Sequence, residues 1–265
     1  MDSPMLAALL ENWQWQLSLV TLAAIMAVSV LGPKLAVALV PAFRRSAALN
    51  KAAYQTKMQK PRYAENQAWN RKWGATYLVI IFGAIMPFCL TAESQPLWQM
   101  LLDMFVILMV YDFFYYLVHR FLFHDNGFLG GPLVWVHAVH HRQHNPCRQD
   151  SSYIHPIEVA MGLGLYVAVI FGLSFVMGNF HVATIVVTWT AFSQINLHNH
   201  DLWEADEFPF KYLSYAAKMH HNHHAKFTGG NFATISLLYD WMFGTLDNGE
   251  GGKVNVKKAK AAPQA

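Results

Sequence analysis

The sequence predicts an all-α integral membrane protein with about five membrane-spanning helices and a histidine-rich helical cap. Of its 265 residues, 54% are hydrophobic and only 13% are charged, whereas soluble domains usually carry about 25% charged residues. Several apolar runs approach the roughly 20 residues that a helix needs to cross a bilayer. Polar segments containing nearly all the histidines separate these runs. This composition is not that of an ordinary soluble protein.

The predicted spans form an N-terminal helix followed by two helical hairpins. Short links at 93–96 and 178–181 join the second span to the third and the fourth to the fifth, as expected for neighbouring antiparallel helices. We expect the first span to end at Gly32 and Pro33, with a short apolar or interfacial segment at 34–42. The five spans cover residues 13–31, 75–92, 97–118, 159–177 and 182–195.

Lysine and arginine residues predict the orientation of these spans. Cytoplasmic loops are enriched in both, and the segment 42–73 carries Glu65 as its one acidic residue beside Arg44, Arg45, Lys51, Lys57, Lys60, Arg62, Arg71 and Lys72. We therefore expect this loop, 119–157 and 198–265 to be cytoplasmic. The net charge of +3 fits contact with anionic lipid headgroups better than nucleic-acid binding, so no nucleic-acid partner is expected.

Three regions follow from this topology. Residues 1–74 would form a membrane helix and a basic cytoplasmic loop, 75–249 the main membrane domain with a metal site, and 250–265 a flexible basic tail. The compact chain and its lack of a retrieval signal favour a bacterial inner membrane over the endoplasmic reticulum.

The histidines indicate a metal site on the predicted cytoplasmic side. All 14 lie between His119 and His224, and all but His181 fall in cytoplasmic segments. Neutral imidazole is a good ligand for iron, zinc and copper. Ten ligands exceed the needs of one ion and imply at least two. The candidates are His119, His124, His137, His140, His141, His198, His200, His220, His223 and His224.

Spacing supports this interpretation. The pattern H-x-x-H-H occurs at His137 and again at His220, and on a helix it would present three imidazoles on one face. Asp112 lies two turns before His119, so its carboxylate would accept the second N–H of that imidazole. His124 lies about 140° around an ideal helix from His119. It joins the same site only if the helix ends or bends there.

Other polar residues have less certain roles near the metal. His144, His155 and His221 are candidates either for supporting the ligands or for purely structural contacts. Glu158 or Asp201 would provide the base of a zinc hydrolase, the main alternative metal chemistry. A zinc hydrolase needs only three protein ligands, so the excess of histidines favours a binuclear redox centre.

Taken together, the motifs resemble the membrane-bound fatty acid hydroxylase superfamily, also called the sterol desaturase family, over residues 100–246. The shared segments are D-x-x-x-Y-x-x-H-R-x-x-x-H from Asp112, both H-x-x-H-H patterns, His-Pro-x-Glu from His155, and a closing segment from Asn231 to Thr245 that includes Asp240. The resemblance implies paired hairpins under a cytoplasmic cap. It also implies that the H-x-x-H-H histidines, His119, His124 and one or both of His198 and His200 bind metal. Lys218 and Asp240 place the chain somewhat closer to fatty-acid hydroxylases.

The function that the resemblance implies is hydroxylation of a membrane lipid or fatty acyl chain by O₂ at a diiron centre, with zinc as a possible substitute metal. One alternative is desaturation of a sterol or other lipid by the same centre. A remote alternative is a non-enzymatic metal-binding membrane protein. Pro156 is followed by Ile157, so the H-P-G-G motif of a fused cytochrome b5 is absent. Electrons would come from a separate donor, such as cytochrome b5 or a ferredoxin with its reductase.

Overall fold

The computed structural model describes residues 11–125 and 129–249 and confirms the all-α fold class. Two π-helical turns follow α3 and α4, at Ile81–Ile85 and His119–Phe123, and 3₁₀ turns occupy Met86–Phe88, His140–Arg142 and Arg148–Ser152. The predicted tail at 250–265 lies outside the described residues. The helices are α1 Trp15–Leu39, α2 Pro41–Met58, α3 Pro61–Ile80, α4 Leu97–Val118, α5 Val134–His137, α6 Pro156–Met177, α7 Val182–Asn199, α8 Lys211–Ala225 and α9 Leu238–Met242.

Within the described ranges, three helices are long and apolar enough to cross a membrane: α1, α4 with its π turn, and α6. The predicted second span, 75–92, is divided between the end of α3 and the following turns. The predicted fifth span lies within α7, which also carries polar residues such as Gln194 and Asn196. The protein is therefore a helical membrane protein, and the total of five spans stays a prediction.

Helix α1 does not end at Gly32 and Pro33, as the sequence suggested, but continues to Leu39. A proline inside a helix removes one backbone hydrogen bond, and membrane helices tolerate this loss. The helix ends instead at Val40, which has extended backbone angles of −118° and 115°. Val40 precedes Pro41, and the residue before a proline is disfavoured in the helical region.

The basic segment 42–73 is not a loop but a helical hairpin formed by α2 and α3. Each helix begins with a proline in its first turn, where the missing N–H costs no hydrogen bond. The hairpin packs on the segment 145–155, since Asn66 and Asn70 donate to the carbonyl of Ile154 at 3.1 and 2.8 Å. Lys57 also forms an ion pair with buried Asp150. Side-chain hydrogen bonds and an ion pair thus hold the α2–α3 hairpin against the segment 145–155.

Two short strands beside the predicted hairpin links pair with each other at the starts of α4 and α7, the ends of these helices that lie away from His119 and His200. Strand β1, Leu90–Thr91, pairs in parallel with β2, Phe180–His181, with Leu90 opposite Phe180. His181 caps α7 by accepting the amide N–H of Ala183 at 3.1 Å. His181, the one histidine outside the segments predicted to be cytoplasmic, therefore has a structural role.

An aromatic core lies between α4, α6 and α7 and supports the histidine-rich end. Tyr166 stacks on Phe192 with ring centroids 4.3 Å apart, and Tyr111 packs edge-on against Phe192 at 5.1 Å. These side chains are almost completely buried. The closely packed core therefore supports the helix ends that carry the histidines.

Candidate dimetal centre

Nine of the ten candidate histidines assemble into two adjoining groups, in each of which one donor atom per residue lies within 4.8 Å of the others. All are buried except His220, which is half-buried. The five-histidine group contains His119, His124, His137, His141 and His223, and the four-histidine group contains His140, His200, His220 and His224. The groups touch, since the ring centroids of His140 and His224 are 4.5 Å from each other and those of His141 and His224 are 4.8 Å from each other.

A π-helical turn brings His119 and His124 together. The turn covers His119–Phe123 and closes with a hydrogen bond from the amide of His124 to the carbonyl of His119 at 3.0 Å. A π turn places residues five apart near each other, whereas an α-helix would separate them. The ring centroids are consequently 5.0 Å apart. The α-helix therefore gives way to a π turn before His124, and this change allows His124 to join the site.

Each H-x-x-H-H pattern supplies both groups, so the expectation that all three imidazoles share one face is wrong. In the first pattern α5 ends at His137 and a 3₁₀ turn begins at His140. His137 and His141 enter the five-histidine group, while His140 enters the other. On α8, His220 and His224 join the four-histidine group. His223 enters the five-histidine group, since it lies about 60° around the helix from His220 and about 100° from His224.

The inward nitrogens of each group are close together. In the five-histidine group, the Nε2 atoms of His137 and His141 lie 3.1 Å apart, and those of His141 and His223 lie 3.0 Å apart. In the other, the Nε2 of His200 lies 3.0 Å from that of His220. Two nitrogens bound at about 2.1 Å to one ion, at right angles, would lie about 3.0 Å apart. The donor set therefore fits two metal ions.

Acceptors outside the groups hold most of the five-histidine rings in the required tautomer. A ring that donates from Nδ1 directs the lone pair of Nε2 inward. In the four-histidine group, Nδ1 of His140 contacts the carbonyl of Tyr153 at 3.2 Å and Nδ1 of His200 that of Asn196 at 2.9 Å. The five-histidine pairs are His119 with the Phe232 carbonyl (2.6 Å), His124 with the Phe227 carbonyl (2.8 Å), His137 with Glu158 Oε1 (2.7 Å) and His223 with the Gly230 carbonyl (2.7 Å).

Burial keeps these imidazoles neutral. Desolvation, reinforced by neighbouring His223, lowers the pKa of His124 to about 2. Desolvation likewise lowers the pKa of His140 and of His223 to about 4 each. Neutral imidazole is the form that binds metal. The rings are therefore available as ligands at physiological pH.

Asp112 does not accept a hydrogen bond from His119, contrary to the sequence-based expectation. Its carboxylate instead accepts the amide N–H groups of Thr234 and Ile235 at 2.8 Å each and that of Ser236 at 3.0 Å. These amides belong to an irregular segment and need acceptors because they are partly or fully buried. Asp112 thus holds the segment that runs alongside the site.

Asp240 holds the preceding part of the same segment. It accepts the amides of Phe232 and Ala233 at 2.8 Å each. The Phe232 carbonyl is then available to His119. Gly230 is required nearby, since a Cβ there would lie 1.6 Å from the carbonyl oxygen of Thr245. Asp240 therefore supports the centre through backbone groups.

His198 is placed outside both groups, which corrects its inclusion among the ligands. Its Nδ1 lies 3.0 Å from Asp201 Oδ2 and its Nε2 lies 2.9 Å from the carbonyl oxygen of Leu213. Both ring nitrogens are therefore occupied. Of the two histidines in this segment, His200 is the one that joins a histidine group. The helix α7 ends at Asn199, and His200, its next residue, lies at the helix end.

The remaining candidates have distinct surroundings. Glu158 contacts His137, as described above. His155 caps α6 by accepting the amide of Ile157 at 3.2 Å. His144 is exposed, and His221 is half-buried with its Nε2 lacking a hydrogen-bond partner among the described residues. None of the three histidines belongs to the two groups.

Sequence reasoning did not identify two features of the site. The backbone carbonyls that orient the rings carry no sequence signal. A cavity of about 200 Å³ beside the four-histidine group is lined by His220 and by apolar or aromatic side chains that include Tyr212, Tyr215, Ile235 and Leu237. In the sequence, Tyr212 and Tyr215 precede the histidines on α8, and these two aromatic residues would have been the signal for the cavity.

Comparison with known proteins establishes the family. A family model described as fatty acid hydroxylase matches residues 104–245, more than half of the chain. The chain belongs to the fatty acid hydroxylase family. The match covers both histidine groups and the closing segment with Asp240. The resemblance noted in the sequence is thereby confirmed.

Three relatives are methylsterol monooxygenases by name. Methylsterol monooxygenase 1 of Gallus gallus is 29% identical over 58% of this chain and 49% of its own length. The Rattus norvegicus protein is 26% identical over 58% and 50%, and a putative enzyme of Dictyostelium discoideum is 26% identical over 60% and 56%. The chain spans about half the length of these relatives. They give no support to the leaning toward fatty-acid hydroxylases. No solved structure matches the chain significantly.

Proposed function

We propose that this protein is an O₂-dependent lipid monooxygenase that hydroxylates a membrane lipid or fatty acyl chain at a diiron centre. The observation that carries the proposal is the pair of adjoining groups of buried imidazoles, five and four in number. The names of the relatives support oxygen insertion over desaturation. When bound, two iron ions would supply the redox chemistry with O₂ that side chains lack.

The residues of the chain would hold and shield this centre. The five-histidine group would bind one ion and the four-histidine group the other. Phe227 packs on His124 with ring centroids 4.5 Å apart, and Phe123 stacks on His137 at 5.1 Å. These rings exclude water from the buried side. Exclusion of water limits side reactions and strengthens local electrostatic interactions.

The lipid would approach through the cavity beside His220. Tyr212 on its rim is 63% exposed. Nearby α9 also exposes apolar side chains, including Trp241 and Met242. Exposed aromatic and apolar residues of this kind are typical of a membrane interface. A lipid chain could pass from the bilayer into this cavity without crossing water.

The surroundings of the two candidate bases favour redox chemistry over zinc hydrolysis. Glu158 is engaged by His137 at 2.7 Å, and Asp201 is engaged by Arg148 at 2.8 Å and by His198. A zinc hydrolase requires a carboxylate beside the metal-bound water. We therefore retain iron as the working metal, with zinc as a substitute that would bind without supporting turnover.

The proposal includes a membrane orientation and a partner. The basic hairpin of α2 and α3 lies at the same end as the histidines, since its Tyr63 stacks on Tyr153, whose carbonyl contacts His140. This placement supports a cytoplasmic active site. A separate electron donor, cytochrome b5 or a ferredoxin with its reductase, would deliver electrons there. The bacterial inner membrane remains our proposed location, ahead of the endoplasmic reticulum.

The test combines metal analysis with lipid analysis. The full chain, purified from iron-supplemented cells, should contain about two metal equivalents, and expressing cells should accumulate a lipid that has gained one oxygen. His140→Ala and His223→Ala should abolish this product, while His144→Ala, which changes an exposed histidine outside both groups, should not. A lipid that loses two hydrogens would indicate desaturation. An unchanged lipid profile in cells containing the iron-loaded protein would refute the proposal.

A further inference from the structure

A second cavity, of about 410 Å³, lies beside α7 and is lined by none of the nine clustered histidines. Small-molecule sites commonly have volumes of about 300–1,000 Å³. Its walls come from the second half of α1, from α2 and from α7, and are mainly small or apolar. The apolar lining includes Val28, Gly32, Ala36, Phe43, Ala191 and Ile195.

Polar side chains close one end of this cavity. Arg148, Gln194, His198 and Asp201 all line it. Arg148 donates to Asp201 Oδ2 at 2.8 Å and to Gln194 Oε1 at 2.5 Å. His198 contacts the same carboxylate oxygen of Asp201 at 3.0 Å. The cavity therefore has an apolar body and a hydrogen-bonding end, the shape of a site for an amphiphile.

One atom at the polar end lacks a partner. Asp201 is only 4% exposed, and its Oδ1 is buried without a hydrogen-bond partner among the described residues. A buried carboxylate oxygen without a donor is costly, and such atoms in native structures usually mark a missing partner. The missing group must be a donor, because a carboxylate oxygen only accepts.

We propose that this cavity binds a membrane lipid that carries a hydroxyl group, with its O–H donating to Asp201 Oδ1. The apolar body of the lipid would lie between α1 and α7. A lipid carboxylate fits poorly, since the charge of Arg148 is already paired with Asp201 and a second anion would be repelled. Gly32 and Pro33 lie in the α1 span, so the apolar end opens toward the bilayer that supplies the lipid.

This site is distinct from the metal centre and does not depend on it. The cavity includes none of the nine clustered histidines. It does include His198, which the metal centre leaves unused. Because Asp201 directly follows His200, a bound lipid would contact the chain beside one metal-binding residue. The proposal concerns binding, so it can fail or hold whether or not the protein oxidises lipids.

Three probes that differ only in the head group test the proposal. The full chain in phosphatidylcholine nanodiscs is labelled with a photoreactive, alkyne-bearing long-chain alcohol, the corresponding methyl ether, or the corresponding fatty acid. The alcohol should bind at least about tenfold more tightly than the ether, as expected when a charged acceptor loses its donor. Crosslinks should map to α1 and α7. Equal binding of alcohol and ether, or crosslinks only elsewhere, would overturn the proposal.

Two variants with a matched control complete the test. Gly32→Leu should reduce alcohol labelling at least about fivefold by filling the cavity, since nothing lies within 4 Å of a Cβ at this position. Gly172→Leu on α6, equally unobstructed and not lining the cavity, should leave labelling unchanged. Asp201→Asn should reduce the preference for alcohol over ether. If Asp201→Asn does not fold, the proposal is decided by the labelling of Gly32→Leu and by the comparison of alcohol with ether. Unchanged alcohol labelling in Gly32→Leu refutes the site.

Discussion

The two histidine groups differ in how tightly the protein holds them. In the five-histidine group, four rings donate from Nδ1 to fixed acceptors, including the carboxylate of Glu158. In the four-histidine group, only His140 and His200 show such contacts within the described part of the chain, both with backbone carbonyls. The first group is enclosed by aromatic rings, whereas His220 of the second lines a cavity.

This difference suggests a division of roles. A ring held by an outside acceptor keeps its tautomer and orientation, which strengthens metal binding. A site with fewer protein ligands and an adjoining cavity retains positions for substrate. We infer that the five-histidine group mainly retains its ion, and that the four-histidine group is the side at which the lipid meets the centre.

The largest expected effect comes from removing one ligand from each group. His220→Ala leaves three histidines in its group and should lose about one of the two metal equivalents. His124→Ala leaves four histidines in its group and should retain more of its metal. Both should lower lipid oxidation by more than about 100-fold. Metal analysis of the purified variants checks the comparison, and equal metal loss in both would remove the proposed difference.

Removal of the carboxylate partner should have the next largest effect. Glu158→Ala takes away the acceptor that orients His137, and such partners usually contribute 10–100-fold, roughly, to metal affinity or activity. Glu158→Gln keeps an acceptor oxygen and should lose less. Competition with a metal-binding dye measures affinity. If Ala and Gln variants bind metal as tightly as the wild type, the carboxylate has no part in holding the ion.

Acid should destabilise the metal-free protein in a defined window. The pKa values of His140 and His223 are lowered to about 4, from an ordinary 6.5, so between these pH values the unfolded chain binds more protons than the folded one. Stability therefore falls as the pH decreases from 6.5 to 4. For His124, with a pKa of about 2, the window extends lower. Thermal unfolding of the metal-free protein at a series of pH values measures this loss of stability. The variants His140→Gln, His223→Gln and His124→Gln show which histidine causes the loss in each pH range.

The smallest effect should come from narrowing the cavity beside His220. Ala216 lines this cavity, and Ala216→Leu should lower lipid turnover about tenfold while leaving metal content unchanged. Ala52→Leu, at an exposed position of α2, is the matched control. Normal turnover in Ala216→Leu would place the lipid entrance elsewhere, whereas loss of metal would show that the substitution disturbs the centre itself.

Most of the histidines of the site were predictable because metal binding depends on residue type and spacing, which the sequence shows directly. Nine of the ten chosen histidines join the two groups, since imidazoles concentrated at the ends of apolar helices have few other uses. The fold class followed from the length and composition of the apolar runs. The end of α1 was misjudged because a single proline is tolerated inside a long membrane helix.

By itself, the sequence determined the helical membrane fold class, the concentration of histidines in a few polar segments and the family motifs. Only the tertiary structure decided which histidine belongs to which group, because spacing along a chain does not show where a helix becomes a π turn or a 3₁₀ turn. The roles of Asp112 and His198 were decided in the same way. Asp112 binds amides more than 120 positions away in sequence, and the Nε2 atom of His198 contacts the carbonyl oxygen of Leu213, 15 positions away. Such contacts depend on which polar groups folding brings together, and helical periodicity carries no information about them.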